Sequence, residues 1–285
     1  MYFLNGETNY PLITKDEIAS LIKPRHPDSH KGSYGHALLF AGSKGRMGAA
    51  VLASRACLRT GTGLLTVSIP EKERYILQTA IPEAMLHLRT ETVEWKKFSA
   101  VGIGPALGTS LKSLRVLKTV LKKYFNAILF DADAITLLGH NKDLWNSIPG
   151  GSIITPHPAE FDRMFGESAD HNERIQKAIE LSQKYQWIII LKNYRTLIAA
   201  GGEGYVNTTG NAGLAKGGSG DVLSGIILAL LAQGYESLQA AKIGVYLHGL
   251  AADFALKNQS KESLLASDVV ESIGQAFISV QLTQS

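Results

Sequence analysis

The stretch Asn211-Ala212-Gly213-Leu214-Ala215-Lys216-Gly217-Gly218-Ser219-Gly220-Asp221, which runs into the apolar segment 222–233, is the most informative part of the chain. Its glycines allow the backbone to turn several N–H groups towards one point. The apolar segment predicts a buried helix, and the positive end of that helix lies at the same point. We therefore predict an anion-binding loop at a helix N-terminus, with Asp221 at its mouth.

Asp221 has two interpretations at this position. Aspartate is among the best helix N-caps, so it could simply accept hydrogen bonds from the first helical amides. The surrounding glycines favour a functional interpretation, because a cap does not need them. An anion hole beside one carboxylate suits the transfer of a terminal phosphoryl group to a hydroxyl. The amides stabilise charge on the phosphoryl oxygens, and the carboxylate accepts the hydroxyl proton.

Short apolar runs alternate with helical segments along the rest of the chain. Strands are predicted at 37–41, 64–69, 100–103, 127–130, 152–155 and 187–191. Helices are predicted at 48–59, 110–124, 158–165, 173–185, 221–233, 238–257 and 267–277. Continuous apolar strands between helices indicate an α/β fold with a mostly parallel sheet covered on both faces. Segments 196–200 and 205–207, joined by a glycine-rich turn, predict an antiparallel hairpin.

Composition excludes several classes of protein. The chain has 285 residues, 45% of them apolar, and a formal net charge of +4 with no Lys/Arg run longer than two. A nucleic-acid binder would cluster its basic residues. Cys57 is the single cysteine and cannot form an internal disulfide, which suits a reducing compartment. With no visible signal peptide or membrane-length apolar run, we expect a cytoplasmic protein.

Loops with unusual residues follow the predicted strands. These loops are 42–48, 104–108, 131–133, 156–160 and 192–196. In open α/β sheets, ligands bind beyond the carboxyl ends of the strands. Five such loops along one sheet edge predict an extended cleft for a large polar ligand. Segment 42–48 lacks the Gly-Lys-Ser/Thr of a Walker loop, so phosphate would be bound without that motif.

These loops together resemble those of one family, the ADP/ATP-dependent NAD(P)H-hydrate dehydratases of the ribokinase-like superfamily. The resemblance covers about residues 29–275 and rests on the order and spacing of its motifs. They are 29–35 (SHKGSYG), 47–50 (MGAA), 59–64 (RTGTGL), 155–161 (TPHPAEF), 191–196 (LKNYRT), 211–221 and 246–249 (YLHG). It implies a three-layer ribokinase-like fold, with a small antiparallel appendage on the sheet. With no linker visible, we expect a single domain over 1–285, in which 1–28 is an N-terminal extension.

The resemblance implies nicotinamide nucleotide repair by a lyase. Hydrated NADH or NADPH, in its S form, would be phosphorylated on the ring hydroxyl by ADP, and phosphate would then leave to restore the ring double bond. The products are NADH or NADPH, AMP and phosphate. The resemblance further implies ADP or ATP as co-substrate, Mg²⁺, and a homo-oligomer, commonly a tetramer. No nucleic-acid or membrane partner is expected.

Site residues follow from the resemblance by position. Asp221 is the expected catalytic residue and also contacts the substrate. The expected nucleotide-binding residues are Lys192, Asn193, Tyr194, Arg195, Thr196, Gly218, Ser219 and Gly220. The expected substrate-binding residues are Ala49, Gly104, His157 and Asp221. No metal ligands are assigned.

Several of these residues have structural alternatives. Lys192 could be a solvated lysine at a strand end, Ala49 could serve helix–sheet packing, and His157 could be a helix cap. Glu160, Asp131 and Asp133 could organise magnesium through water, or could only end a strand or cap a helix.

Two positions depart from the family pattern. Asn193 replaces a glycine, although asparagine tolerates positive φ well enough to keep the turn. Ala106 also replaces a glycine, in the loop 104–108, and adds a methyl group where backbone approaches ligand.

Two other functions compete with the dehydratase. A ribokinase-like kinase for a vitamin precursor, of the hydroxymethylpyrimidine or hydroxyethylthiazole type, would share the 217–221 loop. A non-catalytic nucleotide sensor would not need the Asp221 carboxylate. The sequence leaves open the choice between ADP and ATP and between the NADH and NADPH hydrates.

Overall fold

Ten strands form one sheet in the computed structural model of the chain, which describes residues 9–282. Residues 1–8 of the predicted extension lie outside the described residues. The strands are β1 (Leu12–Ile13), β2 (His36–Phe40), β3 (Leu64–Ile69), β4 (Met85–Leu88), β5 (Ala100–Ile103), β6 (Ile128–Phe130), β7 (Ile153–Ile154), β8 (Ile188–Leu191), β9 (Leu197–Ala200) and β10 (Glu203–Asn207). All six predicted apolar runs and the predicted hairpin are strands in the structure.

The strand order is β1-β10-β9-β8-β7-β6-β5-β2-β3-β4. Strands β2 to β8 run parallel, whereas β9 is antiparallel to both β8 and β10. This confirms the predicted mostly parallel sheet with an antiparallel appendage. The chain reverses its direction across the sheet at β2, which lies between β3 and β5. Ligands of open α/β sheets bind at such a switch point.

Helices cover both faces of the sheet and complete three layers. They are α1 (Lys15–Leu21), α2 (Met47–Arg59), α3 (Arg74–Ala80), α4 (Leu111–Lys123), α5 (Asp133–His140), α6 (Pro158–Phe165), α7 (His171–Tyr185), α8 (Ser219–Ala232), α9 (Ser237–Ala255) and α10 (Ala266–Gln281). Successive strand residues point to opposite faces. Leu39 accordingly joins the core beneath α2, α8, α9 and α10, while Leu38 joins the core beneath α4 to α7.

Helix α8 is buried on nearly all sides, as its apolar sequence predicts. It packs closely on α2, where a β-carbon on Gly225 would lie 2.1 Å from the carbonyl oxygen of Ala53. Leu52 of α2 lies against Gly218 at the beginning of α8. This packing brings the beginnings of α2 and α8 to the edge of the sheet where the parallel strands end.

The N-terminal segment adds elements that the sequence did not predict. Strand β1 pairs with β10, and Ile13 and Ile18 are fully buried, so the described part of the extension contributes to the sheet and the core. Strand β4 and helices α3 and α5 were also unpredicted. Within residues 9–282, no helix is both long and apolar enough to cross a membrane.

Candidate active site

The glycine-rich loop presents unpaired amides at the beginning of α8. Gly218 is the N-cap and has a φ of +93°, which favours glycine. A β-carbon there would also lie 2.6 Å from Leu52 Cδ1. Among the described residues, no backbone oxygen accepts a hydrogen bond from the N–H of Gly220 or Asp221. The loop therefore has the free donors that an anion hole requires.

The carboxylate of Asp221 is not used by the helix. Because Gly218 is the N-cap and no side chain caps α8, the interpretation of Asp221 as an N-cap is wrong. Asp221 is the third residue of the helix and lies in the same first turn as the free amides. Its side chain is thus available to a ligand.

Burial raises the pKa of Asp221 to about 7, with further contributions from the negative charges of Asp131, Asp133 and Glu160. Lys192 acts in the opposite direction and lowers this pKa. These interactions place Asp221 among the residues at the carboxyl ends of the strands. A pKa near neutrality is the value that suits a general base at physiological pH.

Lys192 lies in the same cluster, just after β8. Its Nζ is 2.9 Å from Asp131 Oδ1 and 3.8 Å from Glu160 Oε2. Burial would lower the pKa of Lys192, but the charges of Asp131 and Glu160 and the hydrogen bond to Asp131 raise it overall. The side chain is only 21% exposed, so the alternative of a solvated lysine is wrong.

The ammonium of Lys192 and the α8 amides act on the same point. Lys192 Nζ lies 3.4 Å from the position that a β-carbon on Gly220 would take. The positive end of the α8 dipole and the lysine charge therefore both favour an anion there. Neighbouring carboxylates keep the lysine charged when no anion is bound.

Asp131 anchors this lysine. Its Oδ1 accepts hydrogen bonds from Lys192 Nζ at 2.9 Å and Thr155 Oγ1 at 2.7 Å, and its Oδ2 accepts one from Ser224 Oγ at 2.7 Å. Burial would raise the pKa of Asp131, but the Lys192 charge and these hydrogen bonds lower it overall. The sequence suggested only a magnesium role or a strand end. The anchoring was missed because its partners lie 24 to 93 residues away.

The described residues include no cluster of three or more side chains that would hold magnesium. Both oxygens of Asp131 are bound by protein donors, and Asp133 Oδ2 accepts a hydrogen bond from the Gly108 amide at 2.7 Å. Within residues 9–282, no group of three His, Cys, Asp or Glu side chains could hold a metal ion.

A cavity of about 760 Å³ adjoins the α8 amides, and most of the predicted nucleotide-binding residues line it. Those that line it are Lys192, Asn193, Tyr194, Thr196, Ser219 and Gly220, and His157 lines it as well. Gly218 and Arg195 are not among the lining residues. Arg195 instead places its guanidinium 5.9 Å from the centre of the Tyr194 ring. The structure thus brings the 192–196 and 217–220 segments to one cavity.

Asn193 keeps its turn without a positive φ. Its Oδ1 accepts a hydrogen bond from the Tyr194 amide at 2.8 Å, and its Nδ2 is 3.2 Å from Nε2 of His171. The side chain therefore stabilises the turn directly, where glycine would have relied on backbone freedom.

His157 and Glu160 form a capping box on α6. The Glu160 amide donates to His157 Nδ1 at 3.2 Å, and the His157 amide donates to Glu160 Oε2 at 2.9 Å. The interpretation of His157 and Glu160 as capping residues is therefore correct. Capping does not exclude a contact between His157 and substrate. Since Nδ1 is an acceptor, the neutral ring carries its proton on Nε2.

Two further predicted substrate residues lie beside the switch point. Ala49 is in the first turn of α2, which has no side-chain cap, and the amides of Gly48 and Ala49 donate to no described backbone oxygen. Position 104 requires glycine for a structural reason, because a β-carbon there would lie 1.8 Å from the carbonyl oxygen of Asp131. Ala106 adopts a φ of +48°, the left-handed conformation that glycine would adopt without strain.

Sequence reasoning assigned no role to α9. His248 of this helix lines the 760 Å³ cavity, and Asp253 binds two residues of the loop that lines it. His248 Nε2 lies 3.3 Å from Ser219 Oγ, and burial lowers the pKa of His248 to about 4, so the ring is neutral. Asp253 accepts hydrogen bonds from the Gly210 amide at 2.9 Å and from Asn211 Nδ2 at 2.8 Å. The motif 246–249 was the only signal that pointed to this helix.

Comparison with known proteins agrees with this geometry. Residues 37–275 match the family described as NAD(P)H-hydrate dehydratase. A bifunctional NAD(P)H-hydrate repair enzyme of Vibrio cholerae is 38% identical over 259 residues, which cover 88% of this chain and 51% of that protein. The chain therefore spans about half the length of such bifunctional relatives.

An ADP-dependent (S)-NAD(P)H-hydrate dehydratase of Bacillus subtilis is 34% identical over 284 residues, which cover 94% of this chain and 99% of that protein. A crystal structure of an ADP/ATP-dependent NAD(P)H-hydrate dehydratase from Bacillus subtilis, co-crystallised with ATP and Mg²⁺, superposes with a TM-score of 0.87 and 32% identity. The superposition covers 96% of this chain and 100% of the Bacillus subtilis chain. The likeness confirms the ribokinase-like fold class and favours the dehydratase over the vitamin-precursor kinase.

Proposed function

Because the chain belongs to the NAD(P)H-hydrate dehydratase family, we propose that it repairs hydrated NADH and NADPH at the expense of ADP. The ring hydroxyl is phosphorylated first, and elimination of phosphate then restores NADH or NADPH. AMP is the other product. Relatives of matching length bear the name of this ADP-dependent reaction, which supports the choice of ADP as the phosphoryl donor.

One observation carries this function. A carboxylate whose pKa is raised to about 7 shares the first turn of α8 with free amides, and the Lys192 ammonium lies against the same turn at Gly220. Phosphoryl transfer to a hydroxyl needs a proton acceptor at the nucleophile and positive charge at the phosphoryl oxygens. Nucleotide binding alone would not need the proton acceptor, so a non-catalytic sensor is the weaker proposal.

The first step is transfer of the terminal phosphoryl group of ADP. The ring hydroxyl gives its proton to Asp221 as its oxygen bonds to phosphorus, and the bond from phosphorus to the bridging oxygen of ADP breaks. In this proposal, the free amides of Gly220 and Asp221 stabilise the phosphoryl oxygens, since the Ser219 amide already donates to the Lys216 carbonyl. Lys192 stabilises the charge that develops on the leaving AMP. Residues 193–196 hold the nucleotide in the 760 Å³ cavity.

The second step is elimination. The carbon–oxygen bond breaks, phosphate leaves with the electron pair, and the neighbouring ring carbon loses a proton to the departing phosphate as the double bond forms. Phosphate is a far better leaving group than hydroxide, so the first step makes the second one feasible. Ala49, Gly104 and His157 are the proposed contacts that orient the dinucleotide during both steps.

Hydrated NADH mixed with ADP, Mg²⁺ and the protein is expected to regain the near-ultraviolet absorbance of reduced nicotinamide, with one AMP and one phosphate released per NADH. A stable phosphorylated alcohol as end product would instead support a kinase. Tight nucleotide binding without turnover would support the sensor. Omitting ADP provides the control, since spontaneous dehydration would continue without it.

His157 allows its capping role to be separated from its proposed contact with substrate. His157→Ser retains an N-cap oxygen but removes the ring, whereas His157→Ala removes both. We expect the serine variant to keep its melting temperature and to raise KM for the hydrate, while the alanine variant also loses about 1 kcal/mol of stability. An unchanged KM in the serine variant would limit His157 to a structural role.

We also propose the finer properties that the resemblance implies. They are a single catalytic domain over the whole chain, assembly into a homotetramer, a cytoplasmic location, magnesium dependence and membership of the carbon–oxygen lyases. Magnesium would enter with the nucleotide, because the described residues include no cluster of three or more metal-binding side chains.

A further inference from the structure

A second and larger cavity, of about 1220 Å³, lies at the switch point of the sheet. We call it the switch-point cavity, and four segments supply most of its lining. They are the loop residues 43–46, the residues 87–91 that end and follow β4, the loop residues 107–110, and one side of α4 between 112 and 120. None of the residues that line it is a predicted site residue. Sequence reasoning placed the loops 42–48 and 104–108 along a cleft for a large polar ligand, but gave no role to the residues that line this cavity.

Unpaired polar atoms concentrate around this cavity. Five buried side-chain polar atoms of the described residues have no hydrogen-bond partner, and three of them belong to residues that line the cavity. These three are Ser43 Oγ, His87 Nε2 and Arg89 Nε. An unpaired buried polar group costs about 1–3 kcal/mol. All three atoms are buried, and the residues that carry them form part of the cavity wall.

The lining suits an aromatic base that carries phosphate. Apolar and aromatic side chains form one part, including Phe40 and Trp95, whose rings stack with centres 6.1 Å apart. Six Lys or Arg residues line the cavity, against three Glu. Lys112 and Arg115 are exposed on the side of α4 that lines the cavity. An apolar wall beside a basic rim fits a nucleoside phosphate better than it fits a purely apolar ligand.

The same loops serve this cavity and the proposed active site. Gly104 is a proposed substrate contact, and Leu107 and Gly108 of the same loop line the cavity. In the preceding loop, residues 43–46 line the cavity and lead directly into the first turn of α2. The free amides of Gly48 and Ala49 lie between the two sites along the chain and suit a pyrophosphate.

We propose that the switch-point cavity binds the adenosine end of the hydrated dinucleotide, and that Lys112 and Arg115 contact the 2′-phosphate that distinguishes hydrated NADPH from hydrated NADH. The nicotinamide end then lies at Asp221 and the pyrophosphate at the beginning of α2. This inference rests on the proposed dehydratase function. It names the residues that select between the two hydrates.

Kinetics with both hydrates test the selection. In the Lys112→Ala/Arg115→Ala variant, at saturating ADP, we expect KM for hydrated NADPH to rise about tenfold, because two charge-assisted contacts are lost. KM for hydrated NADH should change less than about twofold, and kcat should be unchanged for both. Lys118→Ala is the matched control, since Lys118 is an exposed lysine of α4 that does not line the cavity. Equal changes for both hydrates, or none, would overturn the assignment.

A binding measurement separates this inference from the proposed reaction. Adenosine 2′,5′-bisphosphate reproduces the phosphorylated adenosine end of NADPH, and its binding is read by calorimetry. We expect wild type and Lys118→Ala to bind it, the double variant to bind it at least tenfold more weakly, and hydrated NADPH to displace it.

Failure of the cavity assignment can be distinguished from failure of the proposed dehydratase function. Binding of the bisphosphate without any dehydration would contradict the proposed function and leave the cavity assignment standing. Normal dehydration with no shift in KM would contradict the cavity assignment alone. Binding that hydrated NADPH does not displace would indicate a separate effector site, and would also overturn the inference.

Discussion

Asp221→Asn is expected to abolish the ADP-dependent recovery of NADH from its hydrate. Asparagine has nearly the same shape as aspartate but does not accept the proton of the ring hydroxyl. General-base catalysis contributes about 10²–10⁴-fold to such reactions, so the rate should fall by at least two orders of magnitude. Binding of ADP should persist, because the proposed nucleotide contacts lie in residues 192–196 and 218–220. The rate is followed by near-ultraviolet absorbance, and ADP binding by calorimetry.

The same substitution should stabilise the protein. Burial raises the pKa of Asp221 from 3.8 to about 7, so the folded state holds a proton between these values that the unfolded state has released. Stability therefore falls as the pH rises from about 4 to about 7, and the full penalty of the buried charge persists above that range. Asparagine removes this penalty. We expect a gain of roughly 1–3 kcal/mol at pH 8 and almost none at pH 4.

Melting temperatures of wild type and variant at the two pH values test this expectation. Asp143→Asn is the matched control, because Asp143 is exposed and the substitution removes the same charge. It should change neither activity nor the pH dependence of stability. A variant that retains full activity would remove Asp221 from the mechanism. A destabilised variant would show that the carboxylate has a structural role.

The wild-type pH profile follows from the same carboxylate. Only ionised Asp221 accepts the hydroxyl proton, so kcat is expected to rise as the pH increases through about 7 and to level off above it. The rise should be absent from any residual activity of Asp221→Asn. Activity and stability thus depend on pH in opposite directions, because the charge that catalysis needs is the charge that folding disfavours.

Local patterns in the sequence were sufficient to predict most of the sheet and the central loop. The strands 64–69 and 100–103 were predicted with the bounds that the structure gives, because continuous apolar runs beside turn residues specify buried strands. The glycines before α8 indicated free amides, which the structure shows. Strand β1 could not be predicted, because its two residues are a strand only by pairing with β10, nearly 200 residues away.

Interactions between distant residues account for what sequence reasoning missed in the site. Nothing near Asp131 indicates that Lys192, Thr155 and Ser224 bind its two oxygens. His248 contacts Ser219 only because α9 packs beside α8. The alternative interpretation of Asp221 as a cap is wrong for a local reason. The backbone of Gly218 begins the helix earlier than the acidic residue suggests.

The contact between Lys192 and Asp131 makes Lys192→Met the second substitution with a large expected effect. Methionine preserves most of the buried stem of the side chain but leaves Asp131 without its cation. Removing one partner of a buried ion pair costs about 3–5 kcal/mol. We expect a loss of this size in urea unfolding at pH 8. The loss should be smaller at pH 5, because an unpaired Asp131 would have a raised pKa and could become neutral by binding a proton.

The double variant Asp131→Asn/Lys192→Met separates stability from catalysis. With the carboxylate gone, the missing cation leaves no buried charge, so most of the lost stability should return. Activity should not return, because no ammonium remains at the beginning of α8 to act on the phosphoryl group. If the double variant stayed as unstable as Lys192→Met, the charge pair would not be the source of the loss. If it regained activity, Lys192 would serve only to neutralise Asp131, and the α8 amides alone would bind the phosphate.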